Sequence, residues 1–221
     1  LAMVDFGPIW LTFQLAAVTT AVLLLIGTPL AWWLAITSRW IKPFVEALTA
    51  MPLVLPPTVL GFYFLILFSE SSPIGAFWVS ITGETLTFSF SGLVIASVIY
   101  SLPFMVQPLQ TAFENMGKDS IEAAATLGSG PLDTFWHVVI PLSSRGFISG
   151  CVLSFAHTVG EFGVVLLIGG SIPNETKVVS IAIYEHVETL RYSDAHVLSA
   201  LMIGFSFLVL LIVYLNNRRY R

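Results

Sequence analysis

Glu122-Ala-Ala-Ala-Thr-Leu-Gly128, followed after nine residues by Val138-Val-Ile140-Pro141, occupies a polar loop between two strongly apolar stretches. A short small-residue helix set between such stretches is a surface that another protein can grip from one side of a membrane.

The membrane reading rests first on composition. Of 221 residues, 56% are hydrophobic and only 10% charged, with a mean hydropathy of +0.89. A soluble domain of this size cannot hide so much apolar surface, so lipid is part of the solvent. A helix needs roughly 20 mostly apolar residues to cross a hydrocarbon core about 30 Å thick. Charge is absent from Phe6 to Ser38, from Ala47 to Ser69, from Thr85 to Phe113 and from Ala195 to Asn217, which predicts four spans. A further helix is expected from about Ser143, breaking near Gly160 where Glu161 interrupts, before the apolar run Phe162 to Ile168 resumes.

Lysine and arginine in short loops stay on the cytoplasmic side. With the N-terminus outside, that side holds Arg39, Lys42, Lys118, Arg145, Arg218, Arg219 and Arg221, against Lys177 and Arg191 outside. The distribution predicts N-out and C-in, and makes the Glu122 loop cytoplasmic. The first apolar run lacks a basic leader and is too long for a signal peptide. No linker or repeat divides residues 1–221, so one domain is expected, with short helices in the outer segments Ser69 to Glu84 and Gly169 to Asp194. Val178 to Val187, with Val179, Ile183 and Val187 apolar, has the pattern of an interfacial amphipathic helix.

Inside the spans, Pro52, Pro56 and Pro57 interrupt the second and Pro103 and Pro108 the third, so both should kink. Kinks serve either a pathway or packing. Gly146, Gly150, Ser154 and Thr158 recur every four residues and make a smooth face for a close helix neighbour, either in the same chain or in a second copy. Glu161 is the acidic residue inside an apolar stretch. It is either functional at depth or solvated at an outer interface that the chain has already reached at Gly160.

Catalytic patterns are missing. The one Gly-Lys pair, Gly117-Lys118, is followed by Asp119, where a phosphate-binding loop needs Ser or Thr. His137, His157, His186 and His196 have no metal-ligand spacing, and His157 reads as a hydrogen-bonded packing residue. The lone Cys151 forms no intrachain disulfide, and no basic patch suits nucleic acid.

The loop 115–141 has its own logic. Asp119 and Ser120 can cap a helix that presents Ile121, Ala124, Ala125 and Leu127 or Gly128, and Gly128 then stops it. A second short helix follows from Pro131. Glu122 and Asp119 can meet cations on the partner.

At these residues the chain resembles the permease subunits of ABC importers, whose signature is Glu-Ala-Ala, three residues, Gly, nine residues, then Ile-x-Leu-Pro. Glu122, Ala123, Ala124, Gly128 and Pro141 match, while Val138 and Ile140 replace Ile and Leu. Leu53-Val-Leu-Pro-Pro-Thr-Val-Leu-Gly61, Ser101-Leu-Pro-Phe-Met-Val106, Gly160-Glu-Phe-Gly163 and Ile172-Pro-Asn-Glu-Thr176 look like molybdate permeases, with tungstate and sulfate permeases as near relatives.

The resemblance implies an all-α membrane protein of the type I importer permease fold, with about five transmembrane helices and a cytoplasmic coupling helix, in the inner membrane of a prokaryote. It implies a permease, not an enzyme, that moves an oxyanion inward: molybdate, with tungstate or sulfate, or a secondary transporter or channel, as the alternatives. Its implied partners are a second copy, two cytoplasmic ATPase subunits, an extracytoplasmic oxyanion-binding protein and lipid, with no nucleic acid. No cofactor or metal is expected on this chain, and ATP and Mg belong to the ATPase. Asp119, Glu122, Ala123, Ala124, Ala125, Leu127, Gly128 and Pro141 are the implied ATPase-coupling residues. Pro56, Pro57, Thr58, Thr158, Glu161 and Phe162 are candidates for pathway or gate.

Overall fold

The computed structural model describes residues 5–117 and 119–218, with side chains described through 211. Of the cations counted above, Lys118, Arg219 and Arg221 lie outside it. The described residues form helices and no strand.

The chain opens with α1 (Gly7–Ile36), then α2 (Lys42–Ala50), a 3-10 turn (Met51–Leu53), α3 (Pro57–Phe68), α4 (Pro73–Thr82) and α5 (Phe90–Met116). The loop segment holds α6 (Asp119–Thr126), α7 (Pro131–Thr134), a π-helical turn (Phe135–Val139) and α8 (Ile140–Leu142). It leads into α9 (Ser144–Gly160), α10 (Gly163–Gly169), α11 (Val179–Glu188) and α12 (Tyr192–Arg218).

Among the described residues, three stretches are long and apolar enough to cross a membrane alone: Gly7–Ile36, Phe90–Met116 and Tyr192–Leu211. Two bent pairs raise the number of spans to as many as five: Lys42–Leu53 with Pro57–Phe68, at 105°, and Pro131–Leu142 with Ser144–Gly160, at 72°.

The second charge gap is therefore not one kinked helix. Pro56, extended at φ −56° and ψ 135°, and Pro57 at the start of α3 separate two helices that run nearly at right angles. The third span stays in one piece. α5 is a single helical run through Pro103 and Pro108, because each proline removes one ladder bond while burial against α1 and α9 holds the flanking turns.

α1, α5 and α9 make the central packing unit. Leu23, Ala31 and Leu34 of α1 meet Val98, Met105, Leu109 and Phe113 of α5 in one buried cluster. The small-residue face of α9 is buried at Gly146, Gly150, Ser154 and Thr158. Its neighbour belongs to the same chain: a Cβ on Gly146 would stand 2.4 Å from the Ala112 Cβ, and one on Gly150 2.9 Å from the Met105 Sδ. α3 packs on α10, and α11 lies between α1 and α12. Val179, Ile181 and Ala182 of α11 are buried, and the Val179 N–H donates to Thr12 Oγ1 at 2.8 Å. That helix is part of the protein core and not a helix lying free in the interface.

Two ends can be told apart by their ions. Lys42 pairs with Glu114 at 3.2 Å and with Glu46 at 3.7 Å, near the end of α5 that leads to α6. Lys177 pairs with Glu185 at the opposite end.

Candidate functional site

The loop segment and a cleft at the far end of α9 hold the residues of interest. α6 begins at Asp119 and has Asp119 and Glu122 in its first turn, where carboxylates complement the helix dipole. Asp119 thus sits within the helix and not before it, and the preceding Lys118 lies outside the described residues. The stop is a Schellman arrangement: Gly128 at φ +84°, Gly128 N–H to Ala125 O at 3.0 Å and Ser129 N–H to Ala124 O at 3.1 Å.

Burial divides the expected outward face: Ala125, Leu127 and Gly128 are exposed, Ile121 is half-buried and Ala124 is buried. Ala124 points into the chain at 8% exposure, and Ile121 and Ala125 line a hollow of about 240 Å³ with Trp32 and Phe135. Glu122, Ala123 and Leu127 face outward, and so do Leu132, Trp136 and Leu142. Pro141 is exposed in α8. Ser129 ties the two halves of the loop by donating to Asp133 Oδ2 at 2.6 Å. This bond first, and the neighbouring His137 after it, hold the Asp133 carboxyl below the usual range.

The cleft lies where α9 breaks. It encloses about 610 Å³ and is lined by Pro57, Thr58, Tyr100, His157, Glu161 and Phe162, among others. Four of the six residues singled out from the sequence meet there. Pro56 precedes Pro57 as the cap residue of α3, and Thr158 is buried behind the wall.

The break falls at Glu161 and Phe162, with Glu161 extended at φ −70° and ψ 139°. Glu161 is 5% exposed, which rules out the solvated reading. Its Oε1 accepts from the Val164 N–H at 3.3 Å and caps α10. Its carbonyl accepts from Ser180 Oγ at 2.6 Å, linking the break to α11. Oε2 is buried with no partner among the described residues.

Contacts across the cleft base are close. A Cβ on Gly163 would stand 2.7 Å from the Pro57 Cβ, and one on Gly61 2.8 Å from the Leu167 Cδ1. We expect Gly163→Leu to separate α3 from α10 and to cost about 1–3 kcal/mol by overpacking. A fall in Tm of the detergent-solubilised protein checks this, and an unchanged Tm counts against the α3–α10 contact.

Tyr100, Ser101 and His157 were not among the pathway candidates, and His157 was read as a packing residue. Ser101 Oγ lies 2.9 Å from His157 Nδ1 and 3.1 Å from Thr158 Oγ1, and the His157 ring stacks on Phe104 with centroids 4.0 Å apart. The partners are 56 and 57 positions apart, so no local pattern joins them.

Near the opposite end, Lys177 and Ser171 both bond to Glu185. Burial pushes its carboxyl up, but the bonds from Lys177 and Ser171 and the Lys177 charge outweigh that and leave it below the ordinary 4.5. A carboxyl that titrates lower when folded stabilises fully above its unfolded value, and this contribution fades as pH falls through the lowered folded value. Thermal stability should therefore decline more steeply below pH 4.5 in the parent than in Lys177→Met. Parallel curves would remove the pair from the stability balance.

Comparison with known proteins places these features in context. A family profile described as "Binding-protein-dependent transport system inner membrane component" matches residues 27–221. The molybdenum transport system permease protein ModB of Azotobacter vinelandii is 54% identical, over 98% of this chain and 96% of that one. A putative molybdenum transport permease of Bacillus subtilis is 33% identical over 94% of this chain and 92% of its own length. The sulfate transport permease CysT of Synechocystis is 34% identical over 88% of this chain and 68% of its own.

Among solved structures, a bacterial ABC transporter that imports alginate superposes with a TM-score of 0.75 at 17% identity, covering 99% of this chain and 80% of that one. The MetNI methionine ABC transporter, in an inward-facing form, gives 0.68 at 17% identity, covering 94% and 93%. At such identities these two speak for the fold alone.

Proposed function

We propose, for a chain that belongs to the family of binding-protein-dependent transport system inner membrane components, that it is the permease subunit of an ATP-driven importer of molybdate. The observation that carries this reading is 54% identity to a molybdenum permease across nearly the full length of both chains. Sulfate is the more distant alternative, since the sulfate permease is matched at 34% and over 68% of its length.

The chain is a multi-pass inner-membrane protein and not an enzyme; ATP hydrolysis belongs to a separate subunit. In our reading residues 1–221 act as one permease domain, two copies enclose the pathway, and two ATPase subunits that carry ATP and Mg press on the two α6 segments. A binding protein delivers the anion at the opposite face. We place the α6 end in the cytoplasm because Lys42 lies there with Glu114, Arg145 lines a hollow there with Asn115 and Ser120, and Lys177 lies at the other end.

Glu122, Ala123 and Leu127 supply the outward surface for the ATPase. Asp119 supports the helix start, and Ala124, Ala125 and Gly128 fix its seat and its end. Pro141 begins the return to α9. Pro56, Pro57, Thr58, Thr158, Glu161 and Phe162 form or back the pathway, and its hydroxyls and backbone groups solvate the anion in transit. Selectivity then rests mainly with the binding protein.

The test is ATPase activity and radiolabelled uptake in proteoliposomes holding this chain, its ATPase and its binding protein. Molybdate should stimulate hydrolysis and enter, with sulfate far behind. Preference for sulfate would change the cargo, and failure of the chain to bind an ATPase would sink the importer reading.

A further inference from the structure

The cleft that gathers Thr58, Tyr100, His157 and Glu161 has few side-chain hydrogen-bond donors. Thr158 Oγ1 donates its single hydrogen to Ser154 O at 2.9 Å, so in its bond with Ser101 it accepts. Ser101 has then spent its own hydrogen on Thr158. Its 2.9 Å bond with His157 requires Nδ1 to donate. Neutral His157 accordingly carries its hydrogen on Nδ1 and leaves Nε2 a bare acceptor. Stacking on Phe104 at 4.0 Å and the Tyr100 ring at 4.9 Å hold the imidazole in that plane.

His157 lines the cleft beside Glu161, and Glu161 Oε2 also lacks a partner among the described residues. To a tetrahedral dianion, the side chains of this wall offer a carboxyl group and a lone pair, with the Thr58 and Tyr100 hydroxyls as neutral donors. One proton on Nε2 creates a charge-assisted donor on a ring held in place by the Ser101 bond.

We propose that His157 is the oxyanion-contacting residue of the pathway, and that it accepts its cargo together with one proton on Nε2. The proton comes from water on the loading side and returns to water when the anion leaves; no bond to the anion is made or broken. A buried imidazolium is stabilised by the dianion it bonds, so proton and anion arrive together. The titratable groups facing the ring are Tyr100 of α5 and Glu161. α1 and α3 carry no Asp, Glu, Lys, Arg or His, and α12 meets α9 through Phe205 and Phe155, away from its Asp194 and His196. The proposal rests on the reading of the chain as an oxyanion permease.

The experiment is initial molybdate uptake between pH 6 and 8 in proteoliposomes of the full complex, for the parent, His157→Gln and His157→Leu. Co-purification with the ATPase establishes that each variant folds. Parent uptake should fall as pH rises, by at most about tenfold per unit for a one-proton step. His157→Gln keeps an N–H that does not titrate, so uptake should persist with a flattened profile. His157→Leu offers no donor and should lose about tenfold at pH 6. The same slope in the parent and His157→Gln, or full uptake by His157→Leu, overturns the role of His157 while leaving the permease reading intact. No oxyanion uptake by the parent at any pH overturns both.

Discussion

Glu122→Arg should uncouple the transporter, with molybdate uptake falling by well over about tenfold and ATP hydrolysis no longer stimulated by cargo. Glu122 is exposed in the first turn of α6, so the substitution disturbs no core packing. It does place a cation against the positive end of the helix dipole, and it reverses the charge presented to the ATPase where Ala123 and Leu127 are also exposed. A charge reversal in a docking surface acts by repulsion as well as by loss of attraction. Glu122→Gln should be much milder, because it removes the charge without opposing it. Pull-down of the ATPase, hydrolysis and uptake, measured on both variants, separate docking from coupling. If Glu122→Arg retained cargo-stimulated hydrolysis and uptake, α6 would not be the element that meets the ATPase.

Glu161→Ala should have the second large effect. The substitution removes the acceptor for the Val164 N–H at the start of α10, and leaving a buried donor unpaired costs about 1–3 kcal/mol. It also removes the carboxyl group from the cleft wall, so the seat of α10 against α3 and the polar lining of the cleft change together. Glu161→Gln keeps an oxygen for Val164 and removes only the titratable group. Stability should therefore hold in Gln and fall in Ala, whereas uptake should fall in both variants. Normal basal and ligand-stimulated hydrolysis with normal uptake in Glu161→Gln would leave the residue a helix cap and nothing more.

These two residues illustrate how far the linear chain can be read. The place of Glu122 on a short helix was legible because its setting is local: the Gly128 stop, the small residues and the flanking apolar runs lie close together in sequence. Glu161 was legible only as a question. A carboxylate at the edge of an apolar run fits both water and burial, and the answer depends on Val164, on Ser180 of α11 and on the cleft walls. His157 was read as a packing residue, and it is stacked and hydrogen-bonded. Its place on the cleft wall was hidden because Ser101 and Tyr100 come from α5, more than fifty positions away.

Membrane class, the charge-free spans, the break beyond Gly160 and the glycine stop of α6 follow from short-range chemistry: hydration of charge, the length needed to cross lipid, and the left-handed backbone that glycine tolerates. The 105° turn between α2 and α3, the unbroken course of α5 through two prolines, the inward aim of Ala124 and the assembly of the cleft do not. Each is settled by which distant helix fills the adjoining space, and close packing assigns that space among α1, α3, α5, α9 and α10 only when all are in place.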